Sequence, residues 1–523
     1  MAVSSNKHGG RATTIKMTGF SGGLALDRPA ELLEITELAQ ADNVHFDVTS
    51  GAIQSVPGLR PRHVAEGRVS AMFWSTLFSH WLFVIEGQLY KSGMNPNDKD
   101  YSVFTWTKSV FESTESVYSG ELDTGNTNLG YLTGANEPCF LEFGRFVCIA
   151  SGGALQIWNG VELKSVEASK PIGGDLEVDL IFRYGNRMAG AKSGDDIIFY
   201  SSPGDPVNWE WSKAPSSSDE DLSKAQWHEV GWLDSARIVA IGILSNDLVI
   251  CKRTPDGSPI IYRVTGRIED GSLAVLELNR SSDVYNSNCL IQANNDLFYF
   301  GSSGFQSFAT VQQYGDIKMA DIGQKVNVMI SRQGNPSAKM WHIRPYNQIW
   351  IQPARGREIY IYHYAIGAFT VRLFRKPPSA IHVVDDEVYV ALEDQVFQLD
   401  KRYSKDSWGY PLVSVVKSNK FRGRNAFVIK KLTAKTSGED GLLAEIRVGK
   451  AIMPLRAERR GREIYGNNDP IYGNTDEIYS GSRQTGITRK QINHRLEEWQ
   501  LELIIREGRM TLDAVEIDVV EVN

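Results

Sequence analysis

Seven short strand-turn-strand units recur through the middle of the chain, and no other feature restricts its fold as much. They read WLFVIEGQLY (81–90), GRFVCIASGGALQIW (144–158), FRYGNRMAGAKSGDDIIFY (182–200), IVAIGILSNDLVIC (238–251), CLIQANNDLFYF (289–300), PYNQIWIQPARGREIYI (345–361) and IHVVDDEVYVALEDQVFQL (381–399). Each sets a β-branched or aromatic run against a second one across a polar turn. The turns hold Gly, Asn or Asp, the residues that accept the positive φ of a tight hairpin. Taken from Leu82, Phe146, Phe182, Ile241, Ile291, Ile349 and Val383, the units begin on average about 50 residues apart, the period of a four-stranded propeller blade. The gaps are uneven, so six and seven blades both fit. Unrelated meanders in sandwich domains are the competing architecture.

The fold class expected is therefore all-β: a β-propeller of six or seven blades with a C-terminal β-rich platform domain and few helices. The division is 1–18 as a flexible N-terminal tail, 19–62 as a segment with a short helix, 63–408 as the propeller, and 409–523 as the C-terminal β domain. The helix is expected over 29–44, where a first-turn proline precedes Leu32, Leu33, Ile35 and Leu38. Within the C-terminal domain, 411–463 carries thirteen Lys or Arg against five acids, and 496–523 carries eight acids against two arginines. Pairing of the basic part with the acidic part is the favoured reading; contact with a polyanion is the other. Between them Ile464-Tyr465-Gly466-Asn467, Ile471-Tyr472-Gly473-Asn474 and Ile478-Tyr479-Ser480-Gly481 repeat every seven residues. Gly and Asn in each unit forbid a coiled-coil heptad. An extended loop over 464–482 is expected, presenting an aromatic at each repeat. Tyr465, Tyr472 and Tyr479, with Arg459, Arg460 and Arg462 before them, are the candidate inter-subunit or gate contacts.

Composition narrows the function classes. Among 523 residues, 56 bases against 63 acids give a net charge of −7, without the basic excess of a general nucleic-acid binder. Four cysteines, Cys139, Cys148, Cys251 and Cys289, form no CxxC pair and suit a reducing compartment. No run of eighteen apolar residues occurs, so no membrane-spanning helix and no membrane insertion are expected. The polar N-terminus, with Lys7, Arg11 and Lys16, does not read as a signal peptide.

Chemical motifs are sparse. Gly19-Phe20-Ser21-Gly22-Gly23 matches G-x-S-x-G, but a nucleophile elbow needs a strand before it and a helix after it, and a basic tail precedes this one. His228-Glu229 begins like a zincin motif, yet Trp232 stands where the second histidine belongs. Asp195-Asp196 and Asp385-Asp386 are candidate paired carboxylates of a glycosidase, or turn residues serving local backbone donors. No phosphate-binding loop and no sialidase-type repeat occurs. Trp74, Trp81, Trp106, Trp158, Trp209, Trp211, Trp227 and Trp232 read chiefly as packing between blades, with sugar stacking as the alternative. No catalytic residue, metal ligand or cofactor is assigned.

Two stretches carry a resemblance. The first is Phe20-Ser21-Gly22-Gly23, Leu38-Ala39-Gln40-Ala41-Asp42-Asn43-Val44, Gly51-Ala52-Ile53 and Val56-Pro57-Gly58-Leu59-Arg60; the second is Phe199-Tyr200-Ser201-Ser202-Pro203-Gly204-Asp205-Pro206-Val207-Asn208-Trp209. Together they resemble the opening and a blade turn of bacteriophage tail nozzle proteins, also known as tail hub or DNA-stabilisation proteins of short-tailed phages. The resemblance implies a structural virion protein without enzymatic activity, made in the host bacterial cytoplasm. It implies a homohexameric ring below the portal and adaptor, in contact with tail fibres, spikes or tail-tip proteins, through which double-stranded DNA passes during ejection. A glycan-binding or glycan-degrading propeller and a monomeric propeller adaptor are the alternatives.

Overall fold

The computed structural model describes residues 12–65, 67–92, 94, 126–171, 173–212, 221–268, 271–311, 316–438, 442–455 and 484–522. The chain divides into two compact units. One comprises Arg60–Tyr360 and Phe374–Leu399; the other comprises Met1–Leu59, Ile361–Leu373 and Asp400–Asn523.

The first of these units is a β-propeller. Among the described residues, six four-stranded sheets stand separately. In chain order the first is Val69–Ser75, His80–Ile85, Gln88–Ser92 and Asn126–Tyr131. The second is Cys139–Phe143, Phe146–Ala150, Gln156–Trp158 and Leu163–Ser165. The third is Leu180–Tyr184, Arg187–Ala191, Ile197–Tyr200 and Gln226–Glu229. The fourth is Arg237–Leu244, Asp247–Arg253, Pro259–Thr265 and Ala274–Asn279. The fifth is Leu290–Ala293, Asp296–Gly301, Gly304–Val311 and Asp316–Ala320. The sixth combines Ala380–Val384, Glu387–Leu392 and Gln395–Asp400 with Gly58–Val64, a strand from far earlier in the chain. Between the fifth and sixth in the chain come Lys339–Ile343, Gln348–Gln352 and Glu358–His363, each hydrogen-bonded to the next.

All seven strand-turn-strand segments read from the sequence form hairpins, and the turn residues explain why. Asn294 and Asn295 have φ of 49° and 59°, and Asp385 and Asp386 have 45° and 66°. Two consecutive positive φ values define the turn whose twist matches paired strands. Successive sheets then bury faces against one another. Trp81 and Tyr389 join the sixth sheet to the first; Leu82, Val147 and Trp158 join the first to the second. Phe199 and Cys148 join the second to the third, and Tyr200 and Ile250 the third to the fourth. This is why middle strands such as His80–Ile85 read as near-continuous apolar runs instead of alternating.

The second unit is a rolled β structure. Ser414–Gly438 and Gln484–Glu507 are antiparallel partners of 25 and 24 residues. A straight strand of that length would span roughly 80 Å. Yet Ser414 pairs with Ile505, while Gly438 pairs with Met510 on its other side. Five residues reach at most roughly 18 Å, so the long strand pair must double back. Register shifts between Arg422 and Phe427, and Asn493 at φ 52°, mark the bend.

Two expectations about this unit change. Residues 29–44 form a single 3-10 turn, Ala30–Leu32, followed by the strand Glu37–Asp42, which pairs with the Ser414–Gly438 strand. Leu38 and Ala41 are wholly buried there, so tertiary packing outranks helix propensity. Residues 12–18 are not a tail: Ala12–Thr18 pairs along its length with Met510–Val522. Alternation explains it, because Met17 is buried while Lys16 faces out to Glu516 at 3.1 Å.

The sequence also hides the α-helix Gln324–Gln333. Its Val326, Val328 and Ile330 alternate like a strand. Tertiary anchoring decides it: Asn327 accepts from the Phe305 amide at 2.9 Å and donates to Asp321 at 2.6 Å.

Candidate functional site

The loops entering successive propeller sheets converge on one cavity of about 850 Å³. Asn136 and Glu137 precede the second sheet, Asp179 the third, Arg237 opens the fourth, Tyr285 to Asn288 precede the fifth, and Pro336 to Lys339 open the hairpin after it. Arg253 and Arg355 complete its cationic lining. These positions come together because the first strand of every propeller blade starts near the common axis.

The lining is organised by ion pairs between sheets. Lys339 Nζ donates to Glu137 Oε1 at 2.6 Å, and Asn288 Nδ2 to Glu137 Oε2 at 3.1 Å. One carboxylate thus ties the second sheet to loops that precede and open later ones. Arg253 donates to Asp283 at 2.6 Å and to the Val284 carbonyl at 2.7 Å. Arg237 pairs with Asp196 at 2.8 Å, and Lys170 with Asp195 at 3.0 Å. Burial would raise the Asp195 carboxyl, but the hydrogen bonds from Lys170 and the Asp196 amide outweigh it and hold it below its usual value. Asn136 donates to Asp179 at 2.9 Å, and Asp179 accepts from the Ser193 amide at 2.7 Å. Asn286 donates to the Pro336 and Ala338 carbonyls at 2.8 and 2.9 Å. Arg355 is exposed and has no carboxylate partner among the described residues.

Asp195 and Asp196, candidate paired acids in the sequence, are therefore engaged by Lys170 and Arg237. Asp385 and Asp386 are exposed turn residues. Ser21 lies exposed on a turn that leads into the two-residue strand Gly23–Leu24, without the helix of a nucleophile elbow. His228 stacks on Tyr200 at 5.5 Å with both ring nitrogens buried. Trp81 and Trp158 are core residues, whereas Trp232 is 81% exposed. Tyr465, Tyr472, Tyr479, Arg459, Arg460 and Arg462, together with Trp106, lie outside the described residues. Among the described residues no group of three His, Cys, Asp or Glu could hold a metal ion, and no helix is long and apolar enough to cross a membrane. The rim arginines and asparagines carry no motif; only their recurrence just before or at the first strand of each repeat could have marked them.

In the other unit the basic strand meets the acidic one, as charge favours. Lys420 pairs with Glu498 at 2.8 Å and Glu31 at 3.4 Å, and Lys417 with Glu502 at 3.4 Å.

No known protein family matches the sequence, and no curated protein matches it. Similar solved structures include the extracellular domain of the putative one component system BT4673 from B. thetaiotaomicron, at 10% identity and a TM-score of 0.41, covering 79% of this chain and 57% of that one. BamB from Moraxella catarrhalis is 11% identical with a TM-score of 0.37, over 74% of this chain and 98% of that one. An exo-beta-1,3-galactanase from Phanerochaete chrysosporium is 9% identical with a TM-score of 0.26, over 89% and 100%. At these identities only a common fold is in question, and no function follows from them.

Proposed function

We propose that this chain is a structural ring component of a short-tailed phage tail, a nozzle or hub through which the genome leaves. The observation that carries the reading is how the chain is divided: residues 60–360 and 374–399 build a propeller, while its beginning, a short middle piece and its end build one β unit. This agrees with the propeller-plus-platform plan that the resemblance at residues 20–60 and 199–209 implies. Pairing of Lys417 and Lys420, in the basic strand Ser414–Gly438, with Glu502, Glu498 and Glu31 supports the same reading. A conduit lined with free cations would retain DNA, because each neutralised phosphate adds to affinity.

Native mass measurement of the purified chain, alone and with portal and adaptor rings, tests it. Six copies per assembly, seen as a ring with a central bore by electron microscopy, is the expected result. A species that stays monomeric on those rings supports the adaptor reading instead. Release of reducing sugar from host polysaccharide supports the glycan-degrading one.

A further inference from the structure

Two arginines stand directly opposite each other where the fourth propeller sheet meets the cavity. Arg237, the first residue of Arg237–Leu244, is the ladder partner of Arg253, the last of Asp247–Arg253, and both line the cavity. Directly opposed residues share one face of a sheet at about 5 Å, where like charges repel. Asp196 and Asp283, which are not part of the lining, accept from them at 2.8 and 2.6 Å. Each pairing leaves guanidinium donors over. Among the described residues Arg237 donates through Nη1 alone, and Arg253 through Nε and Nη2 but not Nη1.

Arg355 lines the same cavity from the turn between Gln348–Gln352 and Glu358–His363, exposed and without a partner among the described residues. Three guanidinium groups therefore keep donors to spare. The carboxylates of the lining do not match them with open acceptors. Both oxygens of Glu137 are taken by Lys339 and Asn288, and both of Asp179, only 6% exposed, by Asn136 and the Ser193 amide. Spare charged donors beside occupied carboxylates select an oxyanion over a cation. The remaining lining suits a hydroxylated body. The Ser193, Ser287 and Tyr285 hydroxyls have no partner among the described residues, and a hydroxyl both gives and takes hydrogen bonds, as those of a sugar do. Phe300 braces the Tyr285 ring edge to face at 5.3 Å. A volume of about 850 Å³ falls within the roughly 300–1,000 Å³ usual for ligand pockets.

We infer that this cavity binds an acidic sugar, with its carboxylate or phosphate held by Arg237, Arg253 and Arg355 and its hydroxyls by Tyr285, Ser193 and Ser287. An oxyanion between two opposed guanidinium groups turns their repulsion into attraction, and the planar fork of arginine matches carboxylate and phosphate oxygens. A uronic acid and a sugar phosphate share this chemistry. A nucleic-acid duplex fits it less well. It calls for cations spread along its backbone, whereas these are gathered in one recess among Glu137, Asp179, Asp196 and Asp283. All the residues involved belong to the propeller unit, so the site would fill whether or not six copies form a ring.

Titration calorimetry of the full chain with digalacturonic acid and with glucose 6-phosphate tests this, beside neutral galactobiose and a short DNA duplex. At least one of the two acids is expected to bind, and galactobiose at least tenfold more weakly; the tighter acid identifies the source as uronic acid or sugar phosphate. Arg355→Ala is expected to weaken binding at least tenfold with an unchanged thermal midpoint, since the residue is exposed, and Arg355→Lys to restore only part of it. Arg357→Ala, at an equally exposed arginine outside the cavity lining, is expected to leave binding as it was. No heat from either acid at millimolar concentration overturns the inference. So does galactobiose that binds as tightly, or an Arg357→Ala loss equal to that of Arg355→Ala. A duplex bound more tightly than either acid, and weakened by both substitutions, overturns it in favour of a nucleic-acid surface.

Discussion

Lys252 places a charge where its side chain meets no water, and Asp234, the Val230 carbonyl and the ring of Tyr262 receive it. Such a pair is weak evidence of net stability, but breaking it leaves the remaining charge buried alone. Lys252→Met is expected to destabilise the chain by about 3–5 kcal/mol, and Lys252→Met with Asp234→Asn by clearly less. Urea unfolding of both variants checks this; equal losses would contradict it. Two tryptophans from one sequence class separate in the same way. Trp81 is fully buried between two sheets, with its ring 4.8 Å from Tyr389, so Trp81→Ala is expected to cost about 3–5 kcal/mol. Trp232→Ala removes a side chain that is 81% exposed and is expected to change stability by no more than about 0.5 kcal/mol. Comparable losses for the two in urea unfolding would contradict the burial assigned to them.

At the scale of elements, the bend of the long strand pair rests on Asn493, whose φ of 52° lies in the left-handed region. Asparagine tolerates that region and a β-branched residue does not. Asn493→Gly is expected to leave stability nearly unchanged, and Asn493→Val to lower it by about 1–2 kcal/mol, read as a shift in the thermal midpoint. Strands and turns of the propeller are legible in sequence because both signals are local: a β-rich run, then residues such as Asn294-Asn295 that accept positive φ. The strand Glu37–Asp42 is not, since its residues favour a helix until Leu38 meets Ser418 across the sheet. The helix Gln324–Gln333 fails in the opposite direction, for its β-branched residues carry the wrong local signal and Asn327 supplies the right tertiary one. The doubling back of the long strand pair is equally hidden, as it follows from which strands flank Gly438 and not from any residue pattern.

Across the whole molecule, the candidate cavity was the least legible feature. Glu137 and Lys339 are 202 residues apart and neither sits in a motif; the ring of repeats alone makes them neighbours. A similar dispersal governs the response to acid. Burial lowers His45 and His228 to about 4, His363 to about 3 and His382 to about 4. For His45 a hydrogen bond to Gln54 opposes the shift without reversing it. A histidine freed by unfolding takes up its proton near pH 6.5, whereas these folded ones remain neutral until well below pH 5. Between those limits the unfolded chain binds more protons, so stability falls as pH falls, by roughly 1.4 kcal/mol per pH unit for each such histidine. The loss is complete once the folded pKa is passed. Above pH 6.5 these groups contribute no slope. His45 and His363 belong to the unit that includes both chain ends, and His228 and His382 to the propeller, so both units are expected to weaken over the same range. Urea midpoints measured from pH 7.5 to 4 are expected to hold steady to about 6.5 and then drop. His382→Gln, which cannot take up a proton, is expected to make the drop shallower by one proton's worth. A midpoint that is flat down to pH 4.5, or a variant with the wild-type slope, would show that these rings are not held neutral in the folded chain.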